Sequence, residues 1–223
     1  MISSAPHKLR SVSLAGPAGR LEAVVNEGSP HAPFAALVCH PHPPSGGTMH
    51  NKVVYHAMKA INAPEFGLRW PVLRFNFRGT GLSEGAYDGR AEMGDVAAAL
   101  DWLKAEYGLP IIAVGFSFGG AMALAASCIR CSGEVRAAAA LGLPIETPHR
   151  SYEHPYLAQC ALPKLFLSGD RDQFAPREKL VALVADAPEP KRLVFVHGAD
   201  HFFTGSLATM QRELNAWLKE LEP

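Results

Sequence analysis

Ile111-Ile112-Ala113-Val114-Gly115-Phe116-Ser117-Phe118-Gly119-Gly120 is the stretch that decides the fold. Ile111 to Val114 is a short apolar run suited to a buried strand. A Gly-x-Ser-x-Gly signature follows, and the Ala-rich stretch from Ser117 to Ile129 reads as a helix. A chain that turns sharply from strand to helix holds its serine in a strained conformation. It needs glycine two residues to either side to clear neighbouring backbone, and it lifts the hydroxyl into a cleft at a helix N-terminus. The N–H of Phe118 is then placed to donate to an oxyanion. A phosphate-binding loop is the competing reading, but it needs G-x-G-x-x-G after the first strand of a sheet, and neither condition holds.

Outward from this point the chain alternates strand and helix patterns. Lys8 to Leu14 and Leu21 to Asn26 read as an antiparallel pair joined by the Gly16-Pro17 turn. Strands are expected at Phe34–Cys39, Pro71–Phe77, Ala137–Leu141, Lys164–Ser168 and Leu193–Val196. Helices are expected near Asn51–Asn62, Asp95–Tyr107, Pro176–Ala185 and Leu207–Leu221. Such alternation argues an α/β fold, a mostly parallel, doubly wound sheet with helices on both faces, formed as one domain over residues 1–223. Ligands of such sheets gather at the carboxyl ends of the strands.

A serine hydroxyl needs a base to take its proton, and the base needs a group to orient it. After a nucleophile elbow these partners come in the order acid, then histidine, each beyond a later strand. Leu165-Phe166-Leu167-Ser168-Gly169-Asp170-Arg171-Asp172 ends a strand with two carboxylates. Asp172 is the candidate, because its spacing from Gly169 and Pro176 lets the side chain swing back over the strand end. Asp170 is the alternative, or else a turn cap or a partner of Arg171. Val196-His197-Gly198-Ala199-Asp200-His201 supplies two histidines. His201, in the loop before the closing helix, can reach inward, while His197 at the strand end reads as structural. A histidine base predicts a rate that falls as the solution is acidified from about pH 8 to about pH 5.

His40-Pro41-His42-Pro43-Pro44-Ser45-Gly46-Gly47 follows the strand Phe34–Cys39, where a second oxyanion donor belongs. The prolines have no N–H to give, so the backbone N–H of His42 is the candidate. His40, His42, His50 and His56 match no common metal spacing, and no metal or other cofactor is expected. In Arg78-Gly79-Thr80-Gly81-Leu82-Ser83-Glu84-Gly85 the arginine is expected to brace strand ends while the glycines turn the chain. Cys39 reads as a buried strand residue. Cys128 and Cys131 form a C-x-x-C without a second pair, and both are expected to be thiols.

Hydrophobic residues make up 48% of the 223 and charged residues 19%, an ordinary composition for a packed core. Lys plus Arg and Asp plus Glu each total 21, so no basic surplus points to nucleic acid or an anionic membrane. No signal-like segment and no long apolar run is seen, and the expected location is the cytoplasm. Oligomeric state is not legible.

Taken together, HPHPPSGGTMHNKVV, RFNFRGTGLSEG, GFSFGG, SGDRDQFAP and GADHFF resemble the α/β-hydrolase superfamily. The resemblance is to its small lidless branch, akin to dienelactone-hydrolase-like and peptidase-like hydrolases, and it spans about residues 20 to 220. It implies a Ser117, Asp172, His201 triad. True dienelactone hydrolases carry Cys at the nucleophile, so Ser117 argues against that reaction. Many members have Gly where this chain has Pro41, which makes the oxyanion loop the weakest transfer. Only Gly142 to Leu162 separates two strands where larger relatives insert a cap, so an open site is expected. Phe116, Phe118, Phe174 and Phe202 could form its walls or could be core residues. The implied activity is hydrolysis of a small-molecule carboxylic ester, with short acyl chains. A peptidase, amidase or thioesterase would share the triad, and a binding module on the same fold would usually lose one of its members.

Overall fold

The computed structural model describes residues 8–130, 133–147 and 150–222. Its main sheet contains β1 (Leu9–Gly16), β2 (Gly19–Asn26), β3 (Ala35–Cys39), β4 (Val72–Phe75), β5 (Ile111–Phe116), β6 (Val135–Leu141), β9 (Lys164–Gly169) and β10 (Lys191–Val196). Between β6 and β9 lies a two-residue hairpin, β7 (Glu146–Thr147) and β8 (Arg150–Ser151), then a short 3₁₀ turn at Pro155–Gln159. The helices are α1 (Lys52–Asn62), α2 (Glu92–Tyr107), α3 (Phe118–Arg130), α4 (Arg177–Asp186) and α5 (Leu207–Lys219).

The eight strands lie in the order β1-β2-β4-β3-β5-β6-β9-β10. β2 runs antiparallel to β1 and to β4, and every other neighbouring pair is parallel. Strand periodicity sorts the side chains onto two faces. Leu37 and Cys39 of β3, with Ile111 and Ala113 of β5, join the core beneath α2, α3 and α4. Ala36 and Val38, with Ile112, Val114 and Phe116, join the core beneath α1 and α5. Both faces are dry, so the central strands carry continuous apolar runs. The antiparallel opening pair and the parallel centre match the sequence reading.

Local signals set the helix ends. The Asn51 side chain accepts from the N–H of Val53 at 2.9 Å and caps α1. Gly108, in the left-handed region at φ 66°, closes α2. Arg78 meets Asp95 of α2 in a buried two-pronged pair, with Nη2 to Oδ1 at 2.6 Å and Nε to Oδ2 at 3.0 Å. The backbone N–H of Arg78 also donates to Asp95, so this arginine braces the end of β4 as expected.

One expectation is overturned. Cys128 is not a thiol: it forms a disulfide with Cys160, 32 residues on. The reason is spatial, since the end of α3 lies against the turn that precedes β9. Cys131 lies outside the described residues, and Cys39 is free and buried. Among the described residues no helix is long and apolar enough to cross a membrane.

Candidate active site

Ser117 sits at φ 53°, in the left-handed region that non-glycine residues avoid at a cost on the order of 1 to 3 kcal/mol. Its surroundings hold it there. Its N–H donates to the carbonyl of Leu141 at 2.8 Å, and its carbonyl accepts from Ala121 in the first turn of α3. The flanking glycines are needed for space. A Cβ on Gly115 would lie 2.3 Å from the carbonyl oxygen of Gly119, and one on Gly119 would lie 2.3 Å from that of His40. Phe118 opens α3, so its N–H is among the leading amides that have no acceptor within the helix.

The loop after β10 brings His201 inward. Its Nε2 is 2.9 Å from Ser117 Oγ, and its Nδ1 is 2.8 Å from Asp172 Oδ2. An ionised Asp172 can only accept, so Nδ1 carries the proton and Nε2 is left to accept from the serine. Asp172 is itself fixed. Phe174 and Ala175 donate their N–H groups to Oδ1 at 2.8 and 3.1 Å, and Ser168 Oγ donates to Oδ2 at 3.2 Å. All three side chains are nearly dry, at 9, 4 and 2% exposure for Ser117, Asp172 and His201. Low exposure strengthens these hydrogen bonds. Gly142 lies so close that a Cβ would stand 3.2 Å from the His201 ring.

The rival residues lie elsewhere. Asp170 accepts from the Gly198 N–H and from His197, rather than from Arg171. The His197 side chain is 94% exposed and takes no part in the cluster.

The loop after β3 forms the opposite wall. His40 is buried: Phe77 N–H donates to its Nε2 at 3.0 Å, and its Nδ1 donates to the Pro41 carbonyl at 2.7 Å. Burial pushes its pKa down to about 4, so the ring stays neutral. Ser45 and Gly47 both donate their N–H groups to the His42 carbonyl. The His42 ring bonds Ser45 Oγ through Nδ1 at 2.9 Å and Tyr87 OH through Nε2 at 2.7 Å. The loop is therefore pinned from both sides. Among the described residues, no group of three or more His, Cys, Asp or Glu side chains is gathered to hold a metal.

Between these walls lies a cavity of about 420 Å³, lined by Ser117, His201, Pro41, His42, Phe174 and Phe202, among others. The four phenylalanines divide: Phe116 and Phe118 are wholly buried in the core, while Phe174 and Phe202 line the cavity. Thr147 and Tyr152, from the segment between β6 and β9, complete the rim. The sequence reading missed Tyr87, Gly142, Ser168 and Tyr152. Gly142 and Ser168 sit at carboxyl ends of strands, where a signal existed. Tyr87 and Tyr152 carried none.

The arrangement can deprotonate a serine in a largely apolar cavity. Residues 45–220 match the family model described as an alpha/beta hydrolase domain. The chain belongs to the α/β-hydrolase family. This hydrolase is 36% identical to an uncharacterised protein of Rickettsia prowazekii (strain Madrid E), over 91% of its own length and 86% of the relative's. An alpha-beta serine hydrolase homologue from Coxiella burnetii superposes with a TM-score of 0.83 at 33% identity, covering 94% of the hydrolase and 97% of that chain. A serine hydrolase without a lid from Xanthomonas campestris gives a TM-score of 0.82 at 29% identity, over 98 and 97% of the two chains. The hydrolase has the same lidless build, since a short hairpin and one 3₁₀ turn take the place of a cap.

Proposed function

We propose that this hydrolase cleaves small-molecule carboxylic esters through an acyl-enzyme. Ser117 Oγ attacks the carbonyl carbon as its proton passes to His201 Nε2. The imidazolium, supported by Asp172, then protonates the departing alkoxide, which leaves as the alcohol. Water, deprotonated by the same nitrogen, attacks the acyl-serine, and the carboxylic acid is released with Ser117 restored. The N–H groups of Phe118 and His42 receive the oxyanion in both steps. The reaction is assigned no metal or cofactor, and no nucleic acid or membrane partner.

The observation that carries this reading is the unbroken run of hydrogen bonds from Ser117 through His201 to Asp172, at 2.9 and 2.8 Å. The serine hydrolases of Coxiella burnetii and Xanthomonas campestris among its relatives add support. A cavity of about 420 Å³ accommodates acetyl to butanoyl esters with their alcohol groups.

The test is the rate of p-nitrophenyl acetate hydrolysis by the native protein and by Ser117→Ala. Loss of the nucleophile is expected to lower the rate by about 10⁴-fold or more. A fluorophosphonate probe should phosphonylate Ser117 with loss of fluoride, adding the phosphonyl mass to the peptide that contains it. A Ser117→Ala protein as active as the native one, with no adduct, would overturn the proposal.

A further inference from the structure

We infer that Asn51 sets the substrate preference: its side-chain Nδ2 donates to an uncharged oxygen (ether, carbonyl or hydroxyl) that the ester carries a few bonds from the scissile carbonyl. The inference rests on the ester reading above and names the substrate class as small esters bearing such an oxygen, in place of plain alkyl esters.

Asn51 serves two structures at once. It is the N-cap of α1, and it lines the reaction cavity. Its Oδ1 accepts from the N–H of Val53 at 2.9 Å. Its backbone is committed as well: the N–H donates to the Thr48 carbonyl at 2.9 Å, and the carbonyl accepts from the Tyr55 N–H at 2.9 Å. Nδ2 carries two N–H donors and has no hydrogen-bond partner among the described residues. The cap also settles which way the amide points. Turning it over would set Nδ2 against the Val53 N–H, donor against donor, and lose the cap. The side-chain group that Asn51 has left to offer is therefore a donor.

Other polar groups around the cavity are spent on holding its walls. The N–H groups of Gly46 and Gly47 donate to the carbonyls of Pro43 and His42. Those of Phe174 and Phe202 donate to Asp172 and Asp200. Both ring nitrogens of His42 and of His201 are bonded. Among the described residues no Lys, Arg, Asp or Glu lines the cavity, so no permanent charge is there to pair with a carboxylate, a phosphate or an ammonium group. A neutral oxygen is what a lone amide donor in such a cavity recognises.

Selection then works from two sides. An alkyl chain lying against Asn51 strips water from Nδ2 and gives nothing back, and a desolvated donor without a partner is costly. An oxygen at the same place restores the hydrogen bond. Both arms of the ester share the cavity, so the oxygen belongs either to the acyl part or to the alcohol part, and the test separates the two.

Ester pairs that exchange one methylene for an ether oxygen provide that test. In the acyl arm the pair is p-nitrophenyl methoxyacetate and p-nitrophenyl butanoate. In the alcohol arm it is methoxyethyl acetate and butyl acetate, followed by acid release. An ether oxygen changes the intrinsic reactivity of an ester, so the quantity read is the kcat/KM ratio of each pair in the native enzyme divided by the same ratio in Asn51→Ser. Serine keeps an acceptor for the Val53 N–H and lacks the amide donor. The quotient should be about threefold to tenfold for one pair and near one for the other. Asn51→Ala loses cap and donor together. It should lower Tm by about 2 to 4 °C, which Asn51→Ser should not, yet show the same quotient. A merely structural Asn51 would tie the quotient to Tm instead. A quotient near one for both pairs, or a loss that falls equally on ether and alkyl esters, would overturn the role of Asn51 and leave the esterase reading intact. Absence of any Ser117-dependent ester hydrolysis would instead remove the esterase reading, and the inference with it.

Discussion

The α-carbon of Gly119 faces the carbonyl oxygen of His40 so closely that a single added methyl group would lie 2.3 Å from it. That contact locks the first turn of α3 onto the end of β3, and both the elbow and the loop after β3 take their positions from it. Gly119→Ala must push one of the two apart. We expect a loss of about 1 to 3 kcal/mol in urea unfolding, and a fall in esterase kcat larger than stability alone explains.

Asp172→Asn should leave the cavity's shape intact and still cut kcat by about 10⁴-fold, because an amide can hold the imidazole in the wrong tautomer. Single-turnover acylation with p-nitrophenyl acetate would measure it. A variant within tenfold of native would mean that Asp172 does not orient His201.

Tyr87→Phe removes the hydroxyl that meets His42 Nε2 at 2.7 Å. One neutral hydrogen bond is worth about 0.5 to 1.5 kcal/mol, so kcat should fall by about twofold to tenfold with KM little changed. A change confined to KM would place Tyr87 in substrate binding rather than in support of the loop that carries His42.

His40 gives stability a pH dependence. Its ordinary value is 6.5, and burial lowers it to about 4 in the folded chain. Above about 6.5 the ring is neutral folded or unfolded and makes no difference. Below that the unfolded chain binds the proton and the folded one does not, so stability drops as pH falls toward about 4. The slope is about 1.4 kcal/mol per pH unit, for a total of about 3 kcal/mol. Urea midpoints across this range should show the slope in the native protein and a flatter profile in His40→Gln.

Closing a separation of 32 residues, the Cys128–Cys160 bond should contribute about 3 to 4 kcal/mol by restricting the unfolded chain. Cys160→Ser should lower Tm by about 10 °C, and a reductant should lower the native Tm by a similar amount. A Tm insensitive to both would exclude the tether.

The parts of the molecule written in local pattern could be read from the chain alone. The apolar runs gave the strands, and Gly115, Ser117 and Gly119 gave the elbow with its left-handed serine. Asp172 and His201 were legible because chain order and strand ends constrain where such partners stand. What depended on distant segments meeting was not. Cys128 finds Cys160 only after α3 and the turn before β9 are packed, and nothing in the spacing of the four cysteines points to that pair. Tyr87 reaches His42 across 45 residues, with nothing in either stretch to announce it. The hairpin at Glu146–Ser151 has strands of two residues each, too short for any periodicity to register.

The helix that carries Ser117 is fastened at its start by the approach to β3 and near its end by a covalent bond. It forms a rigid strut, and the nucleophile rides on it.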